Sequence, residues 1–68
     1  MTALVDVKKL RQNLKLTQQA FADRIGVPVD TLRKWEQGRR RPDGAARTLL
    51  IVLAHAPTIV EEAIKSAA

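Results

Sequence analysis

The amino-acid sequence predicts an all-α fold of five short helices. Three observations carry this. Apolar residues recur at spacings of three and four, the mark of one helix face, and no segment alternates with the two-residue period of a strand. Capping residues or prolines open the periodic stretches, and glycine closes two of them. The 68 residues include no cysteine, so residues 1–68 are expected to form a single domain held by apolar packing, with no disulfide or Cys-based metal site. A chain of this length buries only about 60% of the surface its unfolded form exposes. Its core is therefore modest, and dimerisation could add to its stability.

The elements follow in order. Leu4, Val7, Leu10 and Leu14 make one stripe, so helix 1 is expected from about Val5 to Leu14, with Thr2 and Asp6 as alternative caps. The Thr17 hydroxyl can accept a backbone N–H of the next turn, and Leu16 and Phe21 stand at hydrophobic-staple spacing. Helix 2 is expected over 18–25, with Phe21, Ala22 and Ile25 inward and Gly26 as its stop. Pro28 suits a first helical turn, which places helix 3 at about 28–37. Leu32 and Trp35 face its core side, and Val29, Asp30, Arg33 and Lys34 face out. Gly38 ends it, and Arg39-Arg40-Arg41-Pro42-Asp43-Gly44 is a loop. Asp43 caps helix 4, about Gly44 to Ala54, whose inner stripe is Ala46, Leu49, Leu50 and Leu53. Ile51 and Val52 widen its apolar surface. Helix 5 opens either on a Thr58–Glu61 capping box or on Pro57 and runs to about Ser66, with Ile59, Val60, Ala63 and Ile64 apolar.

Charge narrows the function classes. Twelve Lys and Arg stand against seven Asp and Glu, a net charge of +5. Residues 1–47 hold eleven of the basic and five of the acidic side chains. Such a field suits a polyanion, nucleic acid before membrane. A basic amphipathic membrane binder fits poorly, because the cations gather around a turn rather than along one helix face. Asp6, Lys8 and Lys9 break any apolar run that a signal peptide would need, and Leu49 to Ala54 is too short to span a bilayer. A soluble, cytoplasmic protein is expected. There is no nucleophile–histidine–acid set, the glycines form no phosphate-binding loop, and His55, the single histidine, has no clustered ligands. No catalytic residue, metal site or cofactor is expected.

The stretch TQQAFADRIGVPVDTLRKWEQGRRR resembles the helix-turn-helix of the lambda-repressor-like, or XRE, family. Counted from Gln18, the small residue at the fifth place is Ala22 and the glycine at the ninth is Gly26. The apolar places are filled by Phe21, Ile25, Val27, Leu32 and Trp35. Ala22 lets the two helices approach, Gly26 turns the chain, and the apolar set fixes their angle. Within the family, FADRIGVPVDTLRKWEQGRRRPDGAARTLL looks like the HigA-type antitoxins and the C-terminal domain of MqsA. That resemblance implies a transcriptional repressor that binds its own pseudo-palindromic promoter as a homodimer and pairs with a RelE- or HigB-like toxin. Two alternatives are a protein-interaction module whose main task is toxin neutralisation, and a phage- or plasmid-type repressor with no toxin.

Roles follow from placing helix 3 in the major groove of double-stranded DNA. Val29, Asp30, Arg33 and Lys34 are then the base-reading candidates. Arg33 could fork onto guanine, Lys34 could reach guanine or phosphate, Asp30 could accept from cytosine N4, and Val29 could touch a thymine methyl. Asp30 could instead only favour the helix dipole, and Val29 could be partly buried at the turn. Thr17 and Gln18, at the start of helix 2, and Arg39, Arg40 and Arg41 are phosphate candidates. In the family the glutamine matching Gln18 also braces helix 3, and the pair matching Arg11 and Glu36 forms a structural salt bridge. Ile51, Ile59, Val60 and Ile64 are the expected dimer surface, as more exposed apolar area than a monomer needs.

Overall fold

Five helices and no strand make up the described residues of a computed structural model, which describes residues 6–67. They are α1 (Val7–Asn13), α2 (Gln18–Ile25), α3 (Val29–Glu36), α4 (Gly44–His55) and α5 (Pro57–Ala67). The expected helix 1 began two residues earlier. Asp6 is in fact its cap, with extended backbone and a carboxylate accepting from the Lys9 N–H at 3.0 Å, so the helix starts at Val7. Thr2 and Leu4 lie outside the described residues. Pro28 is likewise a cap rather than a first helical residue, because its ψ of 142° is extended. α2 has the expected limits, with the Thr17 hydroxyl accepting from the Ala20 N–H at 3.1 Å. Asp43 caps α4 by accepting from the Ala46 N–H at 2.9 Å, and Pro57 is the first residue of α5.

Three helix ends share one device. At the end of α3, Gly38 is left-handed (φ 74°), its N–H reaches the Trp35 carbonyl, and the Arg39 N–H reaches that of Lys34. This is a Schellman motif, and it fixes the direction in which the arginine run leaves α3. Gly26 (φ 77°) ends α2 by a variant of it, with the N–H groups of both Gly26 and Val27 on the Ala22 carbonyl. After α1 the left-handed residue is Lys15 (φ 59°), where glycine is usual. A side chain there costs about 1–2 kcal/mol. The Leu16 N–H on the Arg11 carbonyl helps to hold it.

The core draws on every helix: Val7 and Leu10 of α1, Phe21 and Ala22 of α2, Leu32 and Trp35 of α3, Leu50 and Leu53 of α4, and Val60 of α5. Phe21, Leu32 and Leu50 are fully enclosed. α2 and α3 pack most extensively on each other, and fully buried Ala22 allows that approach. The last turn of α2 is tied to α5 by an ion pair of Arg24 with Glu61, which lie 37 residues apart.

One expectation about the outer surface is corrected. Val60 is only 9% exposed and belongs to the core, and Ile64 is half-buried against it. They are four residues apart, so they share the inward face of α5. Ile59, one residue before Val60, is turned to solvent at 67% exposure, and Ile51 and Val52 of α4 are exposed at 40% and 44%.

Candidate nucleic-acid interface

A single hydrogen-bonded chain of side chains frames the outer face of α3. It starts in α1 with Arg11, whose Nε and Nη2 donate to the two carboxylate oxygens of Glu36 at 2.7 and 3.0 Å. The Arg11 Nη1 donates to the Leu16 carbonyl at 3.0 Å. The Glu36 side chain is 5% exposed and that of Arg11 14%, so this bidentate pair is largely shielded from solvent. Burial penalises the Glu36 carboxylate. Hydrogen bonds from Arg11 and Gln18, and the positive charges of Arg11 and Lys8, outweigh that penalty and hold its carboxyl below the ordinary range. The same bond raises the Arg11 pKa.

Gln18, the first residue of α2, extends the chain outward. Its Nε2 donates to Glu36 Oε1 at 3.2 Å, and its Oε1 accepts from Arg33 Nε at 3.3 Å. Only one orientation of the amide satisfies both neighbours: the reverse would set its oxygen against a carboxylate and its NH2 against a guanidinium. Arg33 Nη1 in turn donates to Asp30 Oδ1 at 3.2 Å. The interior of the domain is thus linked to the tip of a side chain on its outermost face.

Among the expected base-reading residues, Asp30, Arg33 and Lys34 are exposed on one side of α3. Val29 departs from them: it is half-buried and packed on the core, because it flanks the stripe that carries Leu32. Thr17 is exposed and Gln18 half-buried, side by side at the positive end of α2. Arg39, Arg40 and Arg41 are exposed and enter no ion pair among the described residues. Lys34 and this run form one basic surface, because the N–H groups of both Arg39 and Arg40 rest on the Lys34 carbonyl, at 2.9 and 3.3 Å. Trp35 is 9% exposed and packs in the core, so its ring is no platform for a base.

Two ion pairs lie outside the contacts expected from the sequence. The Asp30–Arg33 pair was signalled by opposite charges three apart on a helix, whereas Arg24–Glu61 had no local signal. Among the described residues no group of acidic, histidine or cysteine side chains is placed to hold a metal ion, and no helix is long and apolar enough to cross a membrane.

The chain is similar to known proteins in sequence and in fold. The family model described as helix-turn-helix matches residues 7–46, from α1 into the start of α4. A crystal structure of an HTH XRE-family-like protein from Agrobacterium tumefaciens superposes with a TM-score of 0.80 and 43% identity, over 90% of this chain and 98% of that one. The type II methyltransferase M.SsoII of Shigella sonnei is 40% identical over 42 residues, a match spanning 57% of this chain but only 11% of that enzyme. The likeness there is to a small segment of a much longer protein. The matched residues contain both helices of the motif, the turn at Gly26 and the whole Arg11–Glu36–Gln18 frame, and on that ground the chain belongs to the XRE-type helix-turn-helix family of DNA-binding regulators.

Proposed function

We propose that the protein is a sequence-specific transcriptional repressor that binds a pseudo-palindromic operator in double-stranded DNA as a homodimer. The observation that carries this is the exposed basic face of α3, where Arg33 and Lys34 stand outward and the chain continues directly into Arg39, Arg40 and Arg41. With α3 in the major groove, Arg33 and Lys34 reach base edges, and Asp30 lies beside them. Half-buried Val29 has at most an edge of its side chain to offer a thymine methyl. Gln18 and Thr17, at the start of α2, and the three arginines of the loop lie against phosphates and set the register.

Two substitutions separate reading from positioning. Arg33→Ala is expected to cost about 1–3 kcal/mol on the preferred site and to relax preference at one base position. Arg40→Ala should weaken every duplex alike and flatten the slope of log affinity against log salt by about one. Fluorescence-anisotropy titrations on preferred and scrambled duplexes at several salt concentrations distinguish them. Parallel losses from both variants would refute the division of roles.

The dimer surface in this reading is Ile51, Val52 and Ile59, on two helices packed against each other. Ile59→Lys leaves the core untouched and should shift the dimer to monomer in sedimentation-equilibrium runs. An unaltered dimer would move the interface elsewhere. Half-sites of such a dimer lie about one helical turn apart.

Control of its own promoter, with a RelE- or HigB-like toxin as partner, rests on the likeness of residues 21–50 to HigA-type antitoxins. A neighbouring reading frame whose product arrests growth, and is neutralised when this protein is co-expressed, supports that role. Its absence leaves a repressor without a toxin.

A further inference from the structure

We infer that Asp30 sets sequence specificity through Arg33: with Gln18 it holds the guanidinium in one pose, and it penalises DNA that this pose does not match. The inference deepens the reading of α3 as the base-reading helix and rests on it. Arg33 Nε is taken by Gln18 and Nη1 by Asp30, while Nη2 has no partner among the described residues. An unrestrained arginine follows whichever phosphate or base lies nearest. One restrained on two nitrogens loses less freedom on meeting a guanine in the matching place, and gains less from a guanine or phosphate elsewhere. The restraint is anchored, because Gln18 is itself bonded to Glu36 and Glu36 to Arg11 inside the domain.

Charge acts in the same direction. Asp30 is the one acid on an outward face that otherwise carries Arg33 and Lys34, and its side chain is 80% exposed. Non-specific binding is an attraction between cations and phosphates, so a carboxylate at the groove weakens it on every sequence. On the matching sequence the ordered Arg33 offsets that loss, and elsewhere nothing does. A purely structural role explains the pair poorly, since exposed ion pairs three apart on a helix contribute little to folding.

The test is a double-mutant cycle on the full chain. Asp30→Asn is made alone and together with Arg33→Ala, and each protein is titrated at one salt concentration. The probes are a duplex selected by the wild type from a random pool and a scrambled duplex. In the wild-type background, Asp30→Asn should raise affinity for the scrambled duplex at least about threefold, through loss of one repulsive charge. The ratio of selected to scrambled affinity should fall about threefold, in keeping with the modest strength of an exposed ion pair. In the Arg33→Ala background the ratio should not change. An equal fall in both backgrounds would overturn the inference and make Asp30 a direct reader of a base. An unchanged ratio in the wild-type background would also overturn it. Either result leaves the DNA-reading role of α3 standing, whereas a wild type with no preference between the duplexes overturns both.

Discussion

Phe21→Ala is expected to remove a large part of the protein's stability. Phe21 is fully buried where α2 meets the rest of the core, and the cavity left by truncating such a ring typically costs about 3–5 kcal/mol. A domain of this size has roughly 3–10 kcal/mol in total. Collapse of neighbours into the gap would soften the loss, but Leu32 and Leu50 are themselves fully enclosed and have little room to shift. Phe21→Leu keeps most of the volume and should retain the fold at reduced stability. Urea titrations followed by helical circular dichroism and by Trp35 fluorescence measure both variants. A midpoint for Phe21→Ala close to the wild type would show that α2 is not held by this side chain.

Glu36→Ala should be almost as damaging, for a different reason. It leaves the Arg11 guanidinium, 14% exposed, with neither carboxylate oxygen and only the Leu16 carbonyl, and stranding one member of a fully buried pair costs about 3–5 kcal/mol, an upper bound for this part-buried one. It also removes the acceptor that orients Gln18, so the surviving fold should read DNA less selectively. Replacing both partners by apolar residues, Arg11→Met with Glu36→Leu, should recover much of the stability and little of the selectivity. Stability should also depend on pH through this group. The folded Glu36 carboxyl lies below its ordinary value of 4.5, so the unfolded chain binds its proton first. The pair's contribution is therefore complete above that value and is lost as pH falls through the lower, folded one. Wild-type melting temperatures should drop in acid more steeply than those of Glu36→Gln. Parallel acid profiles would show that the carboxylate is not what the pair contributes.

How far the sequence could be read follows the range of the forces involved. The limits of α2 were legible because Thr17 and Gly26 act on the backbone within a turn of themselves. Helix 3 was legible to within a residue: proline fits both the cap and the first turn, and its ψ, which separates them, depends on the chain around it. Lys15 gave no sign of its left-handed backbone, since that conformation is imposed by the turn between α1 and α2. The outer face of α5 was misjudged for a related reason. Ile59, Val60, Ala63 and Ile64 allow two apolar stripes, and the packing of α5 on its neighbours selects the one through Val60 and Ile64. At the site, the outward positions of Arg33 and Lys34 follow from helical periodicity alone. The bond from Arg33 to Gln18 does not, because Gln18 reaches it across the turn from another helix.

Whether this small fold reads base sequence through α3 is decided by selection from a random duplex pool followed by affinity measurement. The expected outcome is a two-fold-symmetric site, bound at least about a thousandfold more tightly than a scrambled duplex at physiological salt. Preference at one position of each half-site should be erased by Arg33→Ala. A pool that remains random after selection, with all duplexes bound alike and only salt setting the strength, would contradict it.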